Sequence, residues 1–410
     1  MGYGDGMAEA KGGDPMNGDT AQAPSSAAVA AGEPAQPAHD GKVDGKASPR
    51  RRVAWIDVAK AITMFLVVYG HLNTDWIPGP SISIWVIYLF HMPAFFFLSG
   101  IFFSTKRSFA ALARHRAYQL LVPYYCFAAL TFVKKAAEIL ISWLRHGDGA
   151  GVRSSLLVLL RAQIPVLFDT TDGLWFLWSL FNASLLLWCV LKVCRGRFLV
   201  PIAVALLLAD QVVRHYVAVP LPFMLNRVLS STAYLALGYA LRLRLLRLTR
   251  AWGALLFVLG GAAFAVSAWW ADKVTASGPW TALGLANVVA SLFGIGMVIG
   301  LARMVPPLRA FRFVGESTLI YYCINNPMVN LCEHVSARLV HVALPAWPIW
   351  RQDLYGIVLV LVAMAAIAVL VVPMKRYLWW AVGLPHPAGK RGAAKSDSPA
   401  RDGGAAGGER

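Results

Sequence analysis

The sequence predicts an all-α polytopic membrane protein of about ten transmembrane helices with both termini cytoplasmic, and three observations predict it. Of 410 residues, 58% are hydrophobic and only 14% are charged, with a mean hydropathy of +0.56, a balance foreign to soluble domains. Apolar runs at 53–72, 82–103, 174–194, 252–271 and 354–373 reach or approach the twenty or so residues that cross a bilayer. Basic side chains gather at the ends of such runs, where the positive-inside rule places them.

Residues 1–50 are rich in Ala, Gly, Pro, Ser and Asp and hold no apolar stretch able to pack, so they read as a disordered cytoplasmic tail. The opening "MGYGDG" puts Gly6 where a myristoylation signal needs Ser or Thr. The first apolar run starts near Val53 and is span-length, which suits an anchor that stays rather than a cleaved signal. Ten spans are expected at about 53–72, 82–103, 118–141, 174–194, 198–216, 224–242, 252–271, 281–302, 314–334 and 354–373. Lys134 and Lys135 interrupt the third, which can instead begin an interfacial helix. Residues 381–410, rich in Gly, Ala, Lys and Arg, read as a second solvated cytoplasmic tail, leaving 51–380 as one membrane domain.

The short loops give the orientation. With Arg50, Arg51 and Arg52 inside, the inner loops hold Lys106, Arg107, Arg114 and Arg116, then Lys192, Arg195 and Arg197, then Arg242, Arg244, Arg247 and Arg250, then Arg303, Arg309 and Arg312. Outer positions such as Arg145, Arg153, Arg161, Arg214, Lys273, Arg338 and Arg351 are more scattered, and the loop at 142–173 is the long exception. The formal charge of +17 is thereby accounted for by topology, with no separate basic domain for nucleic acid. Cys126, Cys189, Cys194, Cys323 and Cys332 are scattered, without disulfide or metal-ligand spacing.

Polar residues inside the first two spans point to chemistry. In "WIDVAKAITMFLVVYGH" a continuous helix advances about 100° per residue, which puts Asp57, Lys60 and His71 on one face, with His71 roughly 21 Å from Asp57. Asp57 and Lys60, at i and i+3, can neutralise one another, and such a stripe must face protein or water. As bland alternatives, the pair snorkels to the cytoplasmic surface and His71 is interfacial. In "LFHMPAFFFLSG", His91 falls near the bilayer midplane; an ionisable group there is a functional candidate, and neutral imidazole suits proton transfer. Alternatively, His91 satisfies a carbonyl where Pro93 removes a donor. Ser99 and Gly100 read as a close helix contact.

Those residues carry a resemblance. "RRVAWIDVAKAITMFLVVYGH" followed by "FHMPAFFFLSG", then "RHRAYQLLVPYY" at 114–125, "LWFLWSL" at 174–180 and "VGESTLIYYCINNP" at 314–327, is similar to the acyltransferase-3 family of integral membrane O-acyltransferases, in its fucose 4-O-acetylase related branch. The resemblance covers about 51–376. It implies a ten-span core with both termini inside, in a bacterial inner membrane. It also implies transfer of an acyl group, usually acetyl, from cytoplasmic acyl-CoA (acetyl-CoA) to a sugar hydroxyl of a surface polysaccharide, O-antigen or lipid-linked glycan precursor. Carried over by motif, His71 is the span-ending histidine, Asp57 and Lys60 the paired charges, and Arg114 and Arg116 the loop arginines. The chain departs from the pattern in having Lys60 for Arg and Asn325 for His; the second change excludes base catalysis at that position.

His71 is thus a candidate general base or acyl carrier, with His91 and Asp57 assigned beside it. Asp57 is too far along the helix to orient His71 and is better suited to pair Lys60. Lys60, Arg114 and Arg116, with Arg51 and Arg52, suit the phosphates of acyl-CoA, although basic residues at inner ends need no ligand. Trp175, Trp178 and Tyr322 are candidates to stack on a sugar, Glu316 to pair a buried Arg, and Asn325 and Asn326 before Pro327 suggest a broken helix lining a cavity. The competing class is a secondary transporter of a glycan or lipid-linked intermediate, which would show internal repeats; none is visible between the halves. No metal and no permanently bound cofactor is expected, and the oligomeric state is not legible.

Overall fold

The computed structural model of the chain describes residues 53–147, 149–168, 174–217, 221–339 and 344–385. The expected tail over 1–50, Arg51, Arg52 and the tail beyond 385 lie outside the described residues.

Every long element among the described residues is helical. The chain begins with α1 (Ala54–Tyr69), α2 (Ser81–Tyr88), α3 (His91–Ile101) and the short α4 (Phe109–Arg116). A π-turn over Ala117–Leu121 leads into α5 (Val122–His146), α6 (Gly149–Phe168), α7 (Trp175–Val193) and α8 (Leu199–Tyr216). A 3-10 turn, Pro222–Arg227, precedes α9 (Val228–Leu246), α10 (Arg250–Ser277), α11 (Trp280–Met304), α12 (Arg309–Glu316), α13 (Thr318–Leu339) and α14 (Ile349–Tyr377).

Six stretches among the described residues are long and apolar enough to cross a membrane: Ser81–Ile101, Trp175–Val193, Leu199–Tyr216, Arg250–Thr275, Trp280–Met304 and Ile349–Tyr377. The chain is a multi-pass membrane protein. The other four expected spans coincide with α1, only 16 residues long, and with α5, α9 and α13. Lys134, Lys135 and Glu138 dilute α5, and Asn325, Asn326 and Asn330 dilute α13.

Burial separates inner helices from outer ones. The stretch Ser81–Ile101 is 61% buried over its apolar window, whereas Leu199–Tyr216 is 22% buried. Val258, Leu259 and Val266 of α10 and Leu361, Val362 and Val369 of α14 are exposed, as a lipid-facing surface requires. Two helices act as hubs. α1 packs against α3, α11, α12, α13 and α14, and α9 packs against α3, α7 and α8.

The approach of α3 to α9 depends on glycine. A Cβ on Gly100 would lie 2.0 Å from the Leu235 carbonyl oxygen, and one on Gly238 would lie 1.9 Å from that of Phe97. "FFFLSG" is accordingly a helix contact. Hydroxyls within the apolar helices bond back to carbonyls four residues earlier, Thr63 to Ala59, Ser99 to Phe95, Ser184 to Leu180 and Thr232 to Val228, so none is buried without a partner.

Several sequence expectations change. α1 ends at Tyr69, and the backbone N–H groups of His71 and Leu72 donate to Val68 and Tyr69 in tight turns; His71 therefore leaves the helical stripe of Asp57 and Lys60. The second span is not one continuous helix but α2 and α3, interrupted at Leu89–Phe90. The long loop expected at 142–173 contains α6, packed on α5; Arg153 and Arg161 kept its Leu156–Leu160 run below span-like hydropathy. α13 runs unbroken through Pro327, since a proline removes one N–H and leaves the remaining ladder intact. The chain stays packed to Leu384, whose carbonyl accepts from the Tyr118 hydroxyl, while Gly383 (φ 65°) lies against the Gln119 backbone. All five cysteines carry free thiols.

Candidate functional site

His71 sits two residues past α1, and the segment behind it is tied down by three polar side chains from the last two helices. The buried Glu333 accepts from the Asn73 N–H at 2.8 Å. Gln352 accepts from the Gly79 N–H at 2.7 Å and donates to the Trp347 carbonyl. Asp353 accepts from the Tyr69 hydroxyl at 3.0 Å and from Ser83. The eleven-residue loop 70–80 between α1 and α2 is thereby fixed at both ends and in the middle.

His91 opens α3 at the helix break. Its Nδ1 lies 2.9 Å from the Ile87 carbonyl oxygen. A carbonyl only accepts, so Nδ1 carries the proton and, in the neutral ring, Nε2 is an acceptor. Pro93 withholds the N–H that would have met the Leu89 carbonyl, and Ser291 of α11 donates to that oxygen instead. Tyr88 links the two histidines: its ring stacks on His91 at 5.2 Å, and its hydroxyl donates to the carbonyl of Gly70, the residue before His71.

Both histidines line one cavity of about 690 Å³. It lies where the C-terminal ends of α1, α8 and α10 meet the N-terminal ends of α9 and α11, with His91 below. Trp85, Phe96, Trp175 and Tyr322 supply aromatic walls. Tyr322 is held by the N–H of Phe176, in the first turn of α7, which donates to its phenol oxygen at 3.3 Å. The Arg227 guanidinium lies 4.3 Å over the Trp175 ring. On the same wall Arg214 pairs with Asp210 at 2.5 Å, and Asp210 also accepts from the Ser230 N–H in the first turn of α9.

The structure thus brings His71, His91, Trp175 and Tyr322 together, and the other candidates lie elsewhere. Asp57 is buried near the opposite end of α1, with its backbone against Gly315 of α12. The Lys60 ammonium lies 5.9 Å from the centre of the Phe102 ring. Arg114 and Arg116 are on α4. Arg116 lies over Phe103 at 6.0 Å, and its buried Nε has no hydrogen-bond partner among the described residues. Burial and the neighbouring Arg107 charge lower its pKa, which marks crowding of like charge. Glu316 pairs with the exposed Arg312 at 3.1 Å. Asn325, buried, donates from Nδ2 to the Tyr322 carbonyl at 2.6 Å. Trp178 packs with Tyr124, Tyr125, Phe181 and Phe223.

Sequence reasoning missed Tyr88, Asp210, Arg214, Arg227 and Ser291. For Asp210 and Arg214 a signal existed: an acid and a base at i and i+4 in an otherwise apolar helix are a paired intramembrane charge. For Tyr88 and Ser291 no local pattern announces the role.

A family model described as an acyltransferase domain matches residues 53–374. Among characterised proteins, the chain is 32% identical over 152 residues to Nodulation protein NolL of Sinorhizobium fredii, covering 34% of this chain and 37% of that protein. It is 30% identical over 140 residues to Nodulation protein NolL of Mesorhizobium japonicum, covering 32% and 34%. The chain thus spans about a third of the length of the curated relatives it matches. No solved structure matches.

Proposed function

We propose that this chain, which belongs to the acyltransferase-3 family, moves an acyl group, acetyl in the simplest case, from cytoplasmic acyl-CoA to a sugar hydroxyl of a surface polysaccharide, O-antigen or lipid-linked glycan precursor. The single observation that carries the reading is the shared cavity: two imidazoles, one with its tautomer fixed, face a chamber walled by rings able to stack on a sugar. In this reading His71 is the base. The acceptor hydroxyl gives its proton to the imidazole while its oxygen forms the ester bond to the acyl carbon. The carbon–sulfur bond of the thioester breaks, and the proton passes on to the departing CoA thiolate. General-base catalysis of this kind contributes roughly 10²- to 10⁴-fold. His91, its Nε2 left as an acceptor, orients the hydroxyl or its neighbour.

The donor's phosphates belong at the other end of α1. Arg107 neighbours Arg116 there, and the Nε of Arg116, without a partner among the described residues, suits a phosphate oxygen; Arg114 and Lys60 are assigned to the same donor site. Ten spans, a bacterial inner membrane and cytoplasmic termini follow from the same reading, because the basic loops fall at this end and the cavity at the opposite, outer one.

Membrane vesicles given radiolabelled acetyl-CoA test the proposal. Label should appear in glycan. Label that stays on the protein would instead support His71 as an acyl carrier, and label in neither would favour a transporter.

A further inference from the structure

A segment past the end of α14 is built onto the elbow that carries the donor-site arginines. The family model stops at residue 374. α14 continues to Tyr377, and the Lys375 ammonium donates to the Ser317 hydroxyl at 2.6 Å, which pins this helix end to the junction of α12 and α13. Leu378–Leu384 then turns back as a compact hook closed by its own backbone: the N–H groups of Val382, Gly383 and Leu384 donate to the carbonyls of Leu378, Trp380 and Trp379. Val382 is buried and belongs to the same apolar core as Leu120 of the π-turn.

The hook seats on the π-turn Ala117–Leu121, the elbow between α4 and α5. The Tyr118 hydroxyl donates to the Leu384 carbonyl at 2.9 Å. Gly383 holds φ of 65°, a left-handed conformation that favours glycine, and a Cβ there would lie 2.8 Å from the Gln119 carbonyl oxygen and 2.9 Å from that of Tyr118. Conformation and space therefore both require glycine at 383. The elbow itself departs from α-helix: the Val122 N–H donates to the carbonyl of Ala117, five residues back, where an α-helix bonds four back. Such a turn holds one extra residue. Relaxing it to α-helix shifts the register by one residue and rotates α4 by about 100° around its axis. Arg116 immediately precedes the turn and lies over Phe103 at 6.0 Å. A rotation of that size carries its guanidinium off the ring, and Arg114 moves with it.

We propose that the hook Leu378–Leu384 is a positioning element for the donor site. Seated on Tyr118 and Gln119, it holds the π-turn, and the π-turn sets the register at which Arg114 and Arg116 meet the phosphates of acyl-CoA. Given the donor assignment of the acyl-transfer reading, on which this rests, Tyr118 and Gly383 act through the two arginines. Their loss lowers donor affinity and leaves the chemistry at the distant cavity alone.

The test is calorimetric titration of CoA into purified full-length protein, beside acetyl-transfer kinetics in membranes and amide hydrogen exchange read by mass spectrometry. Gly383→Val should weaken CoA binding and raise KM for acetyl-CoA by at least about tenfold, the loss of one charge-assisted contact, with kcat and the acceptor KM unchanged. The same variant should speed exchange over 117–122 and leave that of α11 as it is. Tyr118→Phe keeps the ring and removes a single hydrogen bond, so CoA affinity should fall about fivefold; this variant decides the matter if Gly383→Val does not insert. CoA affinity unchanged in Tyr118→Phe would overturn the inference. So would faster exchange over 117–122 with CoA affinity unchanged, or a fall in kcat with both KM values unchanged. Hook-dependent CoA binding by a protein that transfers no acetyl would overturn the acyl-transfer reading and leave the inference standing.

Discussion

The two ends of α1 face the same problem, ionisable side chains in a largely apolar setting, and they meet it in different ways. At the N-terminal end Asp57 and Lys60 remain within helical turns, Asp57 with its backbone against Gly315 of α12 and Lys60 over the Phe102 ring. At the C-terminal end the helix stops, and His71 is presented from a loop bolted down by Glu333, Gln352 and Asp353. The first end holds an acid and a base three residues apart, and the second presents an imidazole to a cavity. On the proposed reading, the 16-residue α1 separates the end assigned to the polyanionic donor from the end assigned to proton transfer.

The contrast is sharpest at Lys60. Lys60→Glu would place a second carboxylate next to Asp57 where charge costs several kcal/mol, and acetyl transfer should fall by more than about 10²-fold; Lys60→Arg should lose only a small factor. Comparable tolerance of both in the vesicle assay would dissolve the distinction between the ends. At the cavity end, His91→Ala should lower kcat by roughly 10²-fold with protein still in the membrane, the lower bound for a lost acid–base partner. Tyr88→Phe keeps the ring on His91 but deletes the bond to Gly70, worth about 1 kcal/mol, so kcat should drop about fivefold while KM for acyl-CoA holds. A changed KM with unchanged kcat would place Tyr88 with the donor site instead.

Much of this was legible in the residues, for reasons that also mark the limit. Hydropathy and the ends of apolar runs give the membrane class and most helices, because both are local properties. His71 and His91 stand out because ionisable groups are rare in such runs. The helix break at Leu89–Phe90 has a visible cause in Pro93, yet its repair by Ser291, some two hundred residues later, has none. Arg214 reads as a stray outer charge until α8 and α9 are seen side by side, and Arg227 goes unnoticed until the turn Pro222–Arg227 brings it over Trp175. The cavity joins segments from residue 67 to residue 322, and no spacing rule reaches that far. The end of α1 was misjudged because Gly70 and His71 continue the apolar period, whereas the backbone turns to meet Tyr88.

The central claim is that His71 performs the proton transfer from within the cavity. Its direct measurement is transfer of label from radiolabelled acetyl-CoA by His71→Ala in membranes matched for protein content. Loss of at least about 10²-fold, with the protein folded and inserted as before, is the result this account predicts; activity equal to the unaltered chain would contradict it.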